Sequence, residues 1–153
     1  MSAITRNNIV LVVDDDADDR LLAKDAISEC KANADFRFLN DGEELMDYLL
    51  WRNNYSDPTA APRPSLILLD LNMPKKDGHE ALKEIKARCE LKQIPVVIFT
   101  TSSADTDVNR TYDMGANSFI SKPATFGELV NVIRTLTSYW LTTVRIPGYV
   151  PAN

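Results

Sequence analysis

Residues 9–20 read IVLVVDDDADDR, a run of five apolar residues followed by five aspartates within the six positions 14–19. A continuous β-branched and leucine run of this length is what a strand buried on both faces looks like. Carboxylates crowded at its end repel one another and lose hydration, so folding alone gives no reason to place them there. Asp16, Asp18 and Asp19 fall where a helix would begin, and the positive end of a helix favours anions, so they read as capping residues. Asp14 and Asp15, at the strand end itself, are left as a pair with a use for a cation.

Outward from this stretch the same alternation recurs. Apolar runs at 9–13, 36–39, 66–69, 96–99 and 118–120 alternate with helix-like segments near 18–31, 42–52, 77–88, 105–114 and 126–140. Asp77 with Glu80, and Thr125 with Glu128, have the spacing of an N-cap and its acidic partner. Five strand–helix units predict an α/β fold: one doubly wound five-stranded parallel sheet with helices on both faces, because parallel neighbours need crossover connections. Residues 53–64, with Pro58, Pro62 and Pro64, read as a loop insertion. The expected organisation is one domain over 1–140 and a C-terminal extension over 141–153.

Composition excludes several classes. The chain has 153 residues, a formal net charge of −5 and a pI near 4.9, whereas a duplex-binding surface needs clustered cations, so no nucleic-acid partner is expected. No stretch reaches the roughly 18 apolar residues of a membrane span, and residues 1–8 lack a signal-peptide core, so a cytoplasmic location is expected. Cys30 and Cys89 have neither CxxC nor Cys/His spacing, which argues against a disulfide framework or structural zinc.

In such a sheet ligands bind outside the carboxyl ends of the strands. Those ends carry Asp14 and Asp15, Asp70, Thr100 and Thr101, and Lys122 with Pro123. Three carboxylates with no His/Cys cluster suit magnesium, a hard cation completed by water and phosphate oxygens. An EF-hand is excluded by register: counted from Asp14, the glycine position holds Asp19 and the closing glutamate position holds Asp25.

The motifs VVDDD at 12–16, LLDLNMPKKDG at 68–78, IPVVIFTTS at 94–102 and SFISKP at 118–123 together resemble the receiver domain of two-component response regulators over about residues 8–138. The resemblance implies the flavodoxin-like fold with strand order 2-1-3-4-5. It also implies that Asp70 is the phosphoacceptor, Asp14 and Asp15 the acidic pair, Thr100 the switch hydroxyl, Phe119 the switch aromatic and Lys122 the phosphate partner. Mg2+ would be held by Asp15, Asp70 and the main-chain carbonyl of Asn72, with Asp14 acting partly through water. A cis Lys122–Pro123 bond is a further expectation of the resemblance. On residues alone each position also admits a plainer role: Lys122 as an ion-pair partner of Asp70, Thr100 as a strand end, Phe119 as a core ring. His79, the only histidine, falls in the first turn of the third helix and reads as a surface residue. It leaves the phosphoryl group to come from a partner histidine kinase or a small donor.

RPSLILLDLNMPKKDGHE at 63–80, the long connection before Leu66 and SYWLTTVRIP at 138–147 resemble the single-domain response regulators that pair with phytochrome histidine kinases. Thirteen residues follow Trp140, too few for an output domain, so the expected output is a protein contact. Phe126, Leu129, Ile133, Leu136 and Trp140 have the spacing of a core helix face. Trp140, Leu141, Val144, Ile146, Tyr149 and Val150 continue apolar beyond the five-unit fold, with Pro147 and Pro151 among them. Either the tail folds back on its own domain, or helix five and the tail form a homodimer interface, the reading preferred here. Two other classes share part of the pattern. A phosphoaspartate-type phosphatase also uses an aspartate with a polar residue two positions on, as in Asp70-Leu71-Asn72, but on its first strand. A flavodoxin-like carrier would need a Gly- and hydroxyl-rich phosphate loop where this chain has aspartates. The expected protein is therefore a phosphoacceptor that catalyses only its own phosphorylation and dephosphorylation.

Overall fold

The computed structural model describes residues 8–147, and strands form where the apolar runs lie. They are β1 Ile9–Val13, β2 Asp35–Leu39, β3 Leu66–Leu69, β4 Val96–Thr100 and β5 Ser118–Ser121. They form one sheet in the order β2-β1-β3-β4-β5, with every neighbouring pair parallel. Every residue of β1, β3 and β4 is buried, whereas the edge strands β2 and β5 are partly exposed. That is why the central runs are continuously apolar while the edges read DFRFL and SFIS.

The helices are α1 Ala17–Cys30, α2 Gly42–Leu50, α3 Gly78–Ala87, α4 Asp105–Asp113 and α5 Phe126–Ser138. Side chains alternate across a strand, and β1 shows it directly. Ile9, Leu11 and Val13 join a core with Leu45, Leu49, Leu82 and Ile85 from α2 and α3, whereas Val10 and Val12 face Ala26, Leu129 and Ile133 from α1 and α5. Each large apolar side chain fully buried this way contributes roughly 1.5–3 kcal/mol. Asp77 and Thr125 accept the backbone N–H of Glu80 and Glu128 at 2.9 and 3.2 Å, as their spacing predicts.

The insertion at 53–64 opens with a 3-10 turn, Asn53–Tyr55, and is tightly pinned. Tyr48 Oη donates to Pro62 O and Trp51 Nε1 to Ala61 O, both at 2.8 Å, and Arg37 Nη1 donates to Ala60 O at 2.6 Å. After α5 the chain makes a π-helical turn, Tyr139–Thr143, and Trp140 and Leu141 pack against the α1–α5 side of the core. The apolar stretch past α5 thus begins by covering its own domain. Phe126, by contrast, is 43% exposed, because the first residue of α5 lies before the helix meets the sheet. Tyr149, Val150 and Pro151 lie outside the described residues.

Candidate functional site

The sheet ladder runs one residue past the strands and holds the site backbone in register. Asp14 N–H bonds Leu39 O at 3.0 Å, Asp70 N–H bonds Val13 O at 3.0 Å, and Lys122 N–H bonds Thr100 O at 2.7 Å. Asp14, Asp15 and Asp70 each offer a carboxylate oxygen, all within 4.8 Å of one another. Asp14 and Asp70 are buried and Asp15 is exposed. This all-oxygen donor set with one side open to water fits a hard divalent cation. Asn72 stands exposed just beyond, its N–H 3.5 Å from Asp70 Oδ1, and Leu71 N–H holds the same oxygen at 2.7 Å.

Lys122 lies across these acids, its Nζ 2.5 Å from Asp14 Oδ2, 2.8 Å from Asp19 Oδ2 and 3.3 Å from Asp70 Oδ2. Burial pulls its ammonium towards deprotonation, but the bonds to Asp14 and Asp19 and the charges of Asp14 and Asp70 outweigh burial and hold it above its ordinary value. Asp14 goes the other way for a carboxylate: burial pushes it up, more than Lys122 and the Asp16 N–H pull it down. Lys122 therefore contributes stability that is full below pH 10.5 and is lost as pH rises through its folded value. The contribution of Asp14 is full below pH 3.8 and is lost as pH rises through its own raised value. With divalent metal chelated, Asp14→Asn is accordingly expected to raise the urea midpoint at pH 7 and to leave it near wild type at pH 3. A lower midpoint at pH 7 would contradict this balance.

Thr100 is fully buried, and its Oγ1 accepts Ser102 N–H at 3.4 Å. Phe119 pairs in register with Ile98 of β4 and is half-buried against the α2–α3 side of the core, so its ring is already partly inside. The described residues contain no cis peptide bond, so the expected cis Lys122–Pro123 is corrected to trans. Trans is the default by about 0.5–1 kcal/mol, and the Lys122 N–H bond to Thr100 O already aims the side chain at the acids.

Two features escaped the sequence reading. Asp16 alone is the N-cap of α1, accepting from Asp18 and Asp19 N–H at 2.8 and 3.1 Å, while the Asp19 side chain turns to Lys122. Helical spacing carried that signal, since Asp19 shares a face with the buried Ala23 and Ala26. His79 is not a surface residue: its imidazole is only 12% exposed and lies 3.4 Å from Asp107 Oδ1. The other oxygen of Asp107 accepts Ser102 Oγ–H at 2.6 Å, which ties the start of α3 to the β4–α4 loop. No periodic signal marks a contact between two helix starts.

A buried aspartate beside an ammonium and clustered with two further carboxylates is equipped to take on an anionic group, which is the property of phosphoacceptor signalling domains. Residues 10–134 match the response regulator receiver domain, and the chain belongs to that family, a phosphoryl-accepting protein of two-component signalling. It is 37% identical over 140 residues to response regulator Rcp1 of Synechocystis sp., covering 92% of this chain and 93% of that protein. It is also 37% identical over 140 residues to the probable methanogenesis regulatory protein FilR2 of Methanothrix harundinacea, covering 92% and 88%. The Mn2+-bound form of Rcp1 superposes with a TM-score of 0.83 over 92% of this chain and 99% of that one. The phosphorylated cyanobacterial phytochrome response regulator RcpA, 37% identical, superposes with a TM-score of 0.85 over 93% and 99%.

Proposed function

We propose that Asp70 receives the phosphoryl group from a phosphohistidine of a partner histidine kinase of the phytochrome class, in the cytoplasm. The observation that carries this reading is the setting of Asp70: its Oδ1 is held by Leu71 N–H while its Oδ2 faces Lys122. Oδ2 attacks phosphorus, the bond from phosphorus to the histidine nitrogen breaks, and the departing imidazole keeps the nitrogen lone pair. Lys122 balances charge on the phosphoryl oxygens and Thr100 donates a hydrogen bond to one of them. Asp14, Asp15, Asp70 and the main-chain carbonyl of Asn72 would hold Mg2+, which neutralises acceptor and donor when bound. As Thr100 is drawn inward, Phe119 turns further into the space it leaves and moves the α4–β5–α5 face. The protein catalyses only its own phosphorylation and dephosphorylation, on a receiver domain through Trp140 with 141–153 as an extension. Phosphotransfer from a purified phytochrome kinase to wild type but not to Asp70→Asn tests the reading, and transfer to both would refute it. Asp15→Ala is expected to weaken Mg2+ binding at least about tenfold, with Asp18→Ala unchanged, by isothermal titration calorimetry; equal affinities would remove Asp15 from the metal site.

We further propose that two copies pair through α5 and the chain beyond it. Tyr139 is 49% exposed at the end of α5, and a two-fold arrangement lets one such patch cover its own copy. Because Trp140 and Leu141 already rest on their own domain, the pairing draws on Tyr139 and the residues after the π-helical turn. At micromolar concentration the full chain is expected to sediment as a dimer and a chain ending at Tyr139 as a monomer. A monomeric full chain, or a dimeric truncation, would overturn the arrangement.

A further inference from the structure

We propose that Asp19 is a positioning residue of the phosphoryl-transfer site, a third carboxylate that holds Lys122 beside Asp70 and tempers its charge. The inference rests on the reading of Asp70 as acceptor. A lysine ammonium has three N–H donors, and here all three directions are met by carboxylate oxygens, those of Asp14, Asp19 and Asp70. When Asp70 Oδ2 attacks phosphorus it gives up its negative charge, and the Lys122 N–H that met it turns to a phosphoryl oxygen while Asp14 and Asp19 keep the other two. The Asp19 side chain is 33% exposed, whereas those of Asp14 and Asp70 are 7% and 9% exposed. Its backbone N–H is fixed on Asp16 Oδ1 at 3.1 Å, so the helix start holds the carboxylate against the ammonium. The Asp19 charge cancels much of the positive field that Lys122 presents to an anionic donor. Asp18, next along the chain, has an exposed side chain and lies outside this contact.

The test compares phosphorylation by acetyl phosphate with Mg2+ in wild type, Asp19→Asn, Asp19→Glu and Asp18→Asn, each checked for cooperative thermal unfolding. Asp19→Asn is expected to react roughly threefold to tenfold faster than wild type, and Asp19→Glu and Asp18→Asn at near the wild-type rate. Asp19→Ser gives the same comparison if the amide disturbs α1. The Lys122 Nζ resonance of the unphosphorylated protein supplies an independent readout. It should shift, with faster exchange of the ammonium protons, in Asp19→Asn and not in Asp18→Asn. An unaccelerated Asp19→Asn, an equal acceleration in Asp18→Asn, or an unmoved Lys122 resonance would overturn the proposal. If no protein, wild type included, takes up a phosphoryl group, the Asp70 reading fails, and the Lys122 resonance alone decides whether Asp19 holds the lysine.

Discussion

Asp70→Asn is expected to lose phosphoryl uptake from acetyl phosphate by on the order of a thousandfold or more, read by intact mass after incubation with Mg2+. The amide that replaces the carboxylate has no anionic oxygen to attack phosphorus, and its bond to Leu71 N–H survives, so the loss reports chemistry rather than folding. Topology says why the loss belongs to this carboxylate and not to Asp14, although Asp14 lies nearer Lys122. Asp70 follows β3, which pairs with β1 on one side and β4 on the other, so Asp14 and Thr100 flank it. Asp14 follows β1, whose neighbours are β2 and β3, one strand further from Thr100. Asp14→Asn should therefore react slowly but still gain the phosphoryl mass. An Asp70→Asn protein modified at the wild-type rate would end the assignment.

Much of this arrangement is legible in the residues. Burial on both faces writes itself as unbroken apolar runs, so β1 and β3 coincide with 9–13 and 66–69. The edges were harder: β2 starts one residue earlier, at Asp35, and β5 ends one later, at Ser121, because a half-solvated strand tolerates polar ends. That Asp14, Asp15, Asp70, Thr100 and Lys122 stand at the strand ends was legible for the same reason, since it needs only the strand boundaries. Asp19 was masked by its surroundings. A capping explanation satisfies Asp16, Asp18 and Asp19 alike, and only the face shared with Ala23 and Ala26 separates Asp19 from Asp18. His79 and the coverage of Trp140 and Leu141 are tertiary contacts that no local period encodes.

Gly78→Ala is expected to destabilise the domain by about 2–3 kcal/mol and to slow phosphoryl uptake with it. The reason is space rather than backbone freedom. A Cβ on Gly78 would stand 2.2 Å from Asp70 O and 2.7 Å from Leu71 Cα, and neither backbone atom can rotate aside as a side chain would. Gly78 N–H also bonds Leu71 O at 3.0 Å, so the start of α3 is clamped onto the two residues that set the acceptor. Relief of the clash must move either α3, which buries Ala81, Leu82 and Ile85, or the Asp70–Leu71 backbone, whose N–H orients the attacking carboxylate. The first route costs stability and the second costs rate, so both readouts should fall together. Gly127→Ala is the control: a Cβ there meets nothing within 4 Å, and in the first turn of α5 alanine is the better helix former by up to about 1 kcal/mol. Urea unfolding followed by circular dichroism, with acetyl phosphate kinetics on the same samples, separates the two glycines. A Gly78→Ala midpoint at or above that of Gly127→Ala would mean that the close approach of α3 to Asp70 does not constrain the site.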